Sequence, residues 1–294
     1  MTNLQSELRN LPGSAEAYPA QDGPFGVIGL GEGALAAELL QSLVDRRLTR
    51  EGTQFVLTST EWEASAEDYM RLAEVSGAKA LRFGGGELDK LAGLVERGVT
   101  ATYHFAQRVA YATGHADEAQ EAERLLAGVR DRCVPEVQEG NPARDLAWSL
   151  WTRTPLLLAP DQDAFLVWAW QLALARVGKS LSVPVERDAL YILTGAFEAR
   201  HESGDNRVAL ILGEEDDEMA IAREVLQTRV DEVIFVPYPE GVGGYSGGLA
   251  TWYFALWVAF YLAERYGVSP EDASPLREVI ASLESANDSG ARLN

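Results

Sequence analysis

The chain is short of cysteine, histidine and positive charge, and each shortage excludes something. Cys133 is the sole cysteine in 294 residues. One chain therefore builds neither an internal disulfide framework nor a Cys-based zinc site, which fits a reducing cytoplasm. Only three histidines occur, His104, His115 and His201. Basic side chains number 25 against 45 acidic ones, a net charge of −20. Such a surface repels phosphate backbones and anionic lipid, and excludes a general nucleic-acid or peripheral-membrane role. A small anionic substrate is still allowed, because a local cluster of N–H donors and one arginine outweighs a distant field. Long apolar runs are missing as well. The most apolar stretch, Trp252 to Ala263, covers about twelve residues where a membrane span needs roughly 20. It reads as a buried helix. The N-terminus lacks a basic start followed by an apolar core, so no secretory signal is expected. What is present is a globular balance, 47% hydrophobic and 24% charged, and the expectation is a soluble cytoplasmic protein.

Residues 1–24, with Pro12, Gly13, Pro19 and Gly23, read as a lead-in rather than core. Phe25 to Gly31 is a short apolar run closed by glycines, and Leu35, Leu39, Leu40 and Leu43 then recur at helical spacing. Strand candidates follow at Gln54 to Thr60 and Lys79 to Phe83, with a helix from Ala64 to Ser76 between them. The segment around His104, TATYHF, reads as a strand, and Ala116 to Val137 as a charged helix. Beyond Gly140-Asn141-Pro142 the alternation restarts. Strands are expected at Pro155 to Pro160, Val208 to Gly213 and Glu232 to Pro237. Helices are expected at Ala164 to Val177, Glu218 to Val230, Trp252 to Tyr266 and Pro275 to Leu283. Strands alternating with helices predict an α/β fold of two doubly wound domains, parallel sheets flanked by helices, spanning 25–138 and 139–294. Functional loops then lie at the carboxyl ends of the strands.

Gly29-Leu30-Gly31-Glu32-Gly33 sits where the first strand gives way to a helix. Glycines there let the backbone approach a ligand, and the helix N-terminus presents N–H groups to an anion. The bland alternative is a tight turn and nothing more. A dinucleotide site would need an acidic residue ending the second strand, which instead ends in Thr58, Ser59 and Thr60. The phosphate-loop pattern Gly-Lys-Ser/Thr is absent from this turn. Three hydroxyls beside a glycine turn can cradle a phosphate, although they are also ordinary strand residues and helix caps. No cofactor and no metal are expected: Glu198 and His201 form a single E-x-x-H copy, where a di-iron bundle needs two.

These pieces resemble the sugar isomerase (SIS) domains, and in particular the bifunctional phosphoglucose/phosphomannose isomerases, which contain two of them. Gly29 to Ala36 resembles the family's G-x-G-G-S-x-x-A turn, and Gln107-Arg108 with Ala110 its Pro-Arg-Ala segment. Asn141-Pro142-Ala143-Arg144 resembles N-x-A-K, Phe197 to Glu202 resembles E-L-N-H-N-E, and Tyr261-Leu262-Ala263 with Gly267-Val268-Ser269-Pro270 resembles the family's end. The chain also departs from the pattern. Gly33 replaces the serine of the turn, Thr58-Ser59-Thr60-Glu61 is a reduced phosphate loop, and LSVPVE (Leu181 to Glu186) stands where Asn-Glu-Asn would supply the proton-transferring glutamate.

The resemblance implies an aldose–ketose isomerase that interconverts glucose or mannose 6-phosphate with fructose 6-phosphate through an enediol. It also implies a homodimer in which a histidine completes the neighbour's pocket. That chemistry needs an acid/base for ring opening, a base between C1 and C2, and a cation for the enediolate. His201, whose imidazole titrates near roughly 6.5 when unperturbed, is the ring-opening candidate, with Glu198 on the same helical face to orient it. An exposed histidine at a charged helix end is the equal alternative. Arg108 is the candidate cation, or else a surface arginine paired to a carboxylate. Gly31, Glu32, Gly33, Thr58, Ser59 and Thr60 are candidate phosphate or sugar contacts. Lys179, near the family's R-W-K, either joins them or stays solvated. No residue is named as the base. The competing expectation is a catalytically silent phosphosugar-binding or regulatory protein on the same scaffold.

Overall fold

A computed structural model describes residues 3–58, 62–84, 98–185, 189–196 and 206–272, together with 279 and 282. The chain opens with helix α1 (Asn3–Asn10). Strand β1 (Phe25–Leu30), helix α2 (Glu32–Leu39), β2 (Thr53–Thr58), α3 (Glu63–Ser76) and β3 (Lys79–Phe83) then form a parallel sheet of order β1-β2-β3. Two helices follow, α4 (Ala101–Ala112) and α5 (Ala116–Cys133), and then α6 (Pro142–Leu150) leads into the second sheet. Its elements are β4 (Thr154–Leu158), α7 (Ala164–Arg176), β5 (Val183–Pro184), α8 (Ala189–Ala196), β6 (Arg207–Leu212), α9 (Asp217–Leu226), β7 (Glu232–Val236) and α10 (Gly244–Tyr266). This sheet is parallel too, in the order β5-β4-β6-β7. Each central strand is a short apolar run buried on both faces, as β2 and β6 show, which is the composition that parallel sheets demand.

The two halves meet through α2 and α7, which pack antiparallel. Arg176, at the end of α7, touches Glu32 at the start of α2. At the other end, Leu39 and Ser42 share a cavity with Asp161 and Phe165 at the start of α7. The carboxyl edge of one sheet therefore neighbours the amino edge of the other.

Three expectations need correction. Residues 1–24 are not a mere lead-in: Leu4, Leu8 and Leu11 are buried, and the Tyr253 hydroxyl donates to Leu8 O at 2.6 Å. The apolar positions of α1 recur every three to four residues, but the stretch is too short to stand out among its polar neighbours. TATYHF belongs to helix α4, not to a strand. Its threonines and aromatics favour a strand locally, but almost every residue of α4 is buried, and tertiary packing overrides that preference. The last apolar helix starts at Gly244 rather than Trp252, which makes it 23 residues long. Length and composition would let it cross a membrane, yet 94% of its most apolar window is buried, so it is the protein's core helix.

Hydroxyls and one amide tie this helix in place. The Tyr245 hydroxyl donates to Gln107 Oε1 at 2.8 Å, the Ser246 hydroxyl to Glu118 O at 2.7 Å, and the Tyr261 hydroxyl to Cys133 O at 2.6 Å. Asn141, 1% exposed, caps α6 by accepting from Arg144 N at 3.1 Å. Its amide nitrogen lies 3.1–3.3 Å from Cys133 O, Val134 O, Val137 O and the Tyr261 oxygen. One side chain thus serves the end of α5, the start of α6 and the flank of α10. Asn141→Ala removes a cap and strands buried carbonyls, so it should cost about 3 kcal/mol in urea unfolding.

Burial raises the pKa of Tyr103, Tyr238, Tyr245 and Tyr253 above the ordinary phenol value, and Glu123 and Asp163 push Tyr103 and Tyr238 further up. Burial likewise pushes the Cys133 thiol up to about 12. These groups stay protonated in the folded protein where the unfolded chain releases protons. The thiol's contribution is complete below about pH 9 and the phenols' below about pH 10, and each is lost as pH rises beyond. The urea midpoint should therefore fall steeply above about pH 10, and less steeply in Tyr238→Phe.

Candidate functional site

The carboxyl edge of the first sheet gathers the turn and strand ends singled out above. Gly31 precedes α2 with φ 57° and ψ −125°, a left-handed backbone that glycine adopts without strain. Its carbonyl accepts Ala34 N–H at 3.0 Å, which turns the chain sharply into the helix. The N–H groups of Glu32 and Gly33, ahead of it in the first turn of α2, have no intrahelical acceptor, and an anion is a natural partner for them. Thr58 ends β2 opposite Leu30 and is fully buried. The start of α4 closes the edge: the Thr102 hydroxyl donates to Glu32 O at 3.2 Å, and the Thr100 hydroxyl lies 3.5 Å from Glu7 Oε2.

Gly33 has a steric reason to be glycine. A Cβ there would collide with the backbone carbonyl of Leu57, so α2 rests directly on β2. The serine that the resemblance expects at this position does not fit the present packing. Gly33→Ser should force α2 away from the sheet and lower stability by about 2 kcal/mol, measurable as a drop in the urea midpoint.

Other site candidates are placed differently from expectation. The Glu32 carboxylate does not face the turn alone; it pairs with the Arg176 guanidinium, which reaches over from α7. Lys179 Nζ donates to Arg176 O at 2.7 Å and to Asp272 O, so it closes the end of α7. Arg176, three residues earlier, is the basic group of that stretch which reaches the glycine turn. No sequence signal marks it, because the pairing crosses between the two halves of the chain. Arg108 lies on α4 with its guanidinium 5.6 Å from the Phe83 ring centroid and 3.7 Å from Glu16. Phe83 ends β3, so Arg108 flanks the same edge from the outer strand. Ser59, Thr60, Glu186, Glu198, His201 and most of the predicted helix from Pro275 to Leu283 lie outside the described residues.

The corresponding turn of the second sheet has opposite chemistry. Asp163, 6% exposed, stands between β4 and α7 where Gly31 stands between β1 and α2. Its carboxylate accepts the Tyr238 hydroxyl at 2.5 Å and Glu214 N–H at 3.3 Å. That carboxylate binds groups that follow β6 and β7 and makes no capping bond to α7. Elsewhere, a cavity of about 570 Å³ runs along β7 past Val129, Asp145, Phe235 and Phe254, and none of the described site candidates lines it. Among the described residues no group of three or more His, Cys, Asp or Glu side chains converges as a metal site would. The tryptophans divide: Trp170, Trp252 and Trp257 are core, whereas Trp148 and Trp151 are exposed and hold Arg265 between their rings.

Comparison with known proteins agrees with this architecture. Residues 4–114 match the phosphoglucose isomerase N-terminal domain, and residues 139–281 the bacterial phospho-glucose isomerase C-terminal SIS domain. A glucose-6-phosphate isomerase like protein from Thermus thermophilus is 34% identical over 95% of this chain and 94% of its own, with a TM-score of 0.79. A protein from Silicibacter pomeroyi, provisionally described as a phosphosugar isomerase, shares the fold at 11% identity over 92% of this chain and 100% of its own, TM-score 0.60. Glucosamine-6-phosphate deaminase from Thermotoga maritima does so at 10% identity over 92% and 93%, TM-score 0.54. No protein with a curated description matches. Two parallel sheets, the order of the motifs and matches along both halves place the chain in the bacterial phosphoglucose isomerase family of two-domain SIS proteins.

Proposed function

We propose that the protein interconverts glucose 6-phosphate or mannose 6-phosphate with fructose 6-phosphate, the phosphate resting on the Gly31–Gly33 turn. The observation that carries this reading is the turn itself, a left-handed glycine opening α2 at the carboxyl edge of a parallel sheet, in a chain of the phosphoglucose isomerase family. In this reading Thr58, Ser59 and Thr60 supply hydroxyls to the phosphate. Arg108 stabilises the enediolate, and His201, oriented by Glu198, opens the ring. Residues 25–138 and 139–294 act as the two SIS-like units, and the active form is a homodimer in which His201 completes the neighbour's pocket. A second reading, a silent phosphosugar binder, is favoured by LSVPVE (Leu181 to Glu186), where the family's Asn-Glu-Asn would stand.

A coupled assay on both hexose phosphates separates the two. Turnover that falls about 100-fold or more in His201→Ala supports the isomerase. Saturable binding without turnover supports the binder, and neither binding nor turnover removes both.

A further inference from the structure

The contact between Glu32 and Arg176 sits at the proposed phosphate turn yet is made by the two halves of the chain. Both groups are largely withdrawn from water, with side chains 11% and 31% exposed, and burial pulls the Arg176 pKa down from its usual value. A partly desolvated ion pair returns little net stability, because the cost of drying two charges offsets their attraction. Its position suggests a different use. Glu32 is the first residue of α2 and Arg176 the last of α7, so the guanidinium stands at the mouth of the turn whose amides are the proposed anion contacts.

We propose that Arg176 is a phosphate-binding residue supplied by the second half of the chain, and that Glu32 is its exchangeable placeholder. The inference rests on the phosphosugar reading and deepens it. A phosphate dianion attracts a guanidinium about twice as strongly as a carboxylate does at equal distance, and it offers the paired oxygens that the planar fork matches. It also gains the helix amides that the Glu32 side chain leaves untouched. Arg176 also borders a cavity of about 220 Å³, lined by Asn3, Glu7, Gly98, Glu271 and Asp272 rather than by Glu32 or the glycine turn. The acids there have partners of their own: Glu7 accepts from Asn3 Nδ2 at 2.6 Å, and Glu271 from Leu4 N–H at 2.6 Å.

The second sheet supplies the contrast. Asp163 is held by a tyrosine hydroxyl and a backbone N–H within its own half, and it is almost fully buried. Among the described residues, the Glu32 carboxylate is held by Arg176 from the other half. The first carboxylate is fixed and the second can leave, so each chain takes one ester.

Calorimetric titration with glucose 6-phosphate, with inorganic phosphate in parallel, tests the exchange in the wild type, Glu32→Gln, Arg176→Gln and Arg176→Lys. Thermal melts confirm that each variant is folded; should Arg176→Gln fail to fold, Glu32→Gln and Arg176→Lys decide. Glu32→Gln should bind glucose 6-phosphate about tenfold more tightly, with one site per chain. Arg176→Gln should bind it about tenfold or more weakly, and Arg176→Lys in between. Unchanged or weaker binding in Glu32→Gln, or unchanged binding in the Arg176 variants, overturns the exchange and leaves the phosphosugar reading standing. No binding by any of the proteins overturns that reading and the exchange with it.

Discussion

Helix α10 is apolar nearly all round, and the need to keep it from water organises the molecule. Helices α5, α6 and α7 pack along it, and α1 reaches it from the far end of the sequence. Its tyrosines enter the core only because each hydroxyl finds an acceptor, on Gln107, Leu8 or Cys133. Both sheets therefore share one helical core rather than two that merely touch. A smaller apolar cluster on the outer side of the second sheet, including Leu158, Ile211 and Leu226, is confined to that half.

The same core sets the site. With α7 packed on α10 and α2 packed on α7, the helices that follow the first strand of each half's sheet, α2 and α7, run antiparallel. The last residue of one then meets the first residue of the other. That is why a basic group from beyond residue 150 arrives at a turn near residue 31, and why the glycine turn cannot be understood from its own half alone.

Much of the fold is legible in the sequence. Strands β1, β2, β3, β4, β6 and β7 are short apolar runs, most of them closed by glycine, proline or polar residues, and their alternation with helices identifies the fold class. The turn at Gly31 is legible for the same reason. Helix α4 is not, because Thr102, Tyr103 and Phe105 favour a strand locally, while their burial on every side is decided by distant residues. The start of α10 is hidden by Gly244, Gly247 and Gly248, which look like loop until the close packing of Gly247 and Gly248 is seen. The four-residue stretch shared by Arg176 and Lys179 says nothing about which of them points across the interface. Gly33 looks like a lost serine; its true constraint is the Leu57 carbonyl, more than twenty residues away.

The latch of Tyr238 on Asp163 makes the two halves unequal in what they can become. Removing the carboxylate would leave a buried phenol and an amide without their acceptor, so its loss weakens the joint between β4, β6 and β7 in the same stroke. Of the two parallel-sheet halves, the second has thus committed the turn after its β4 strand to holding its own frame together.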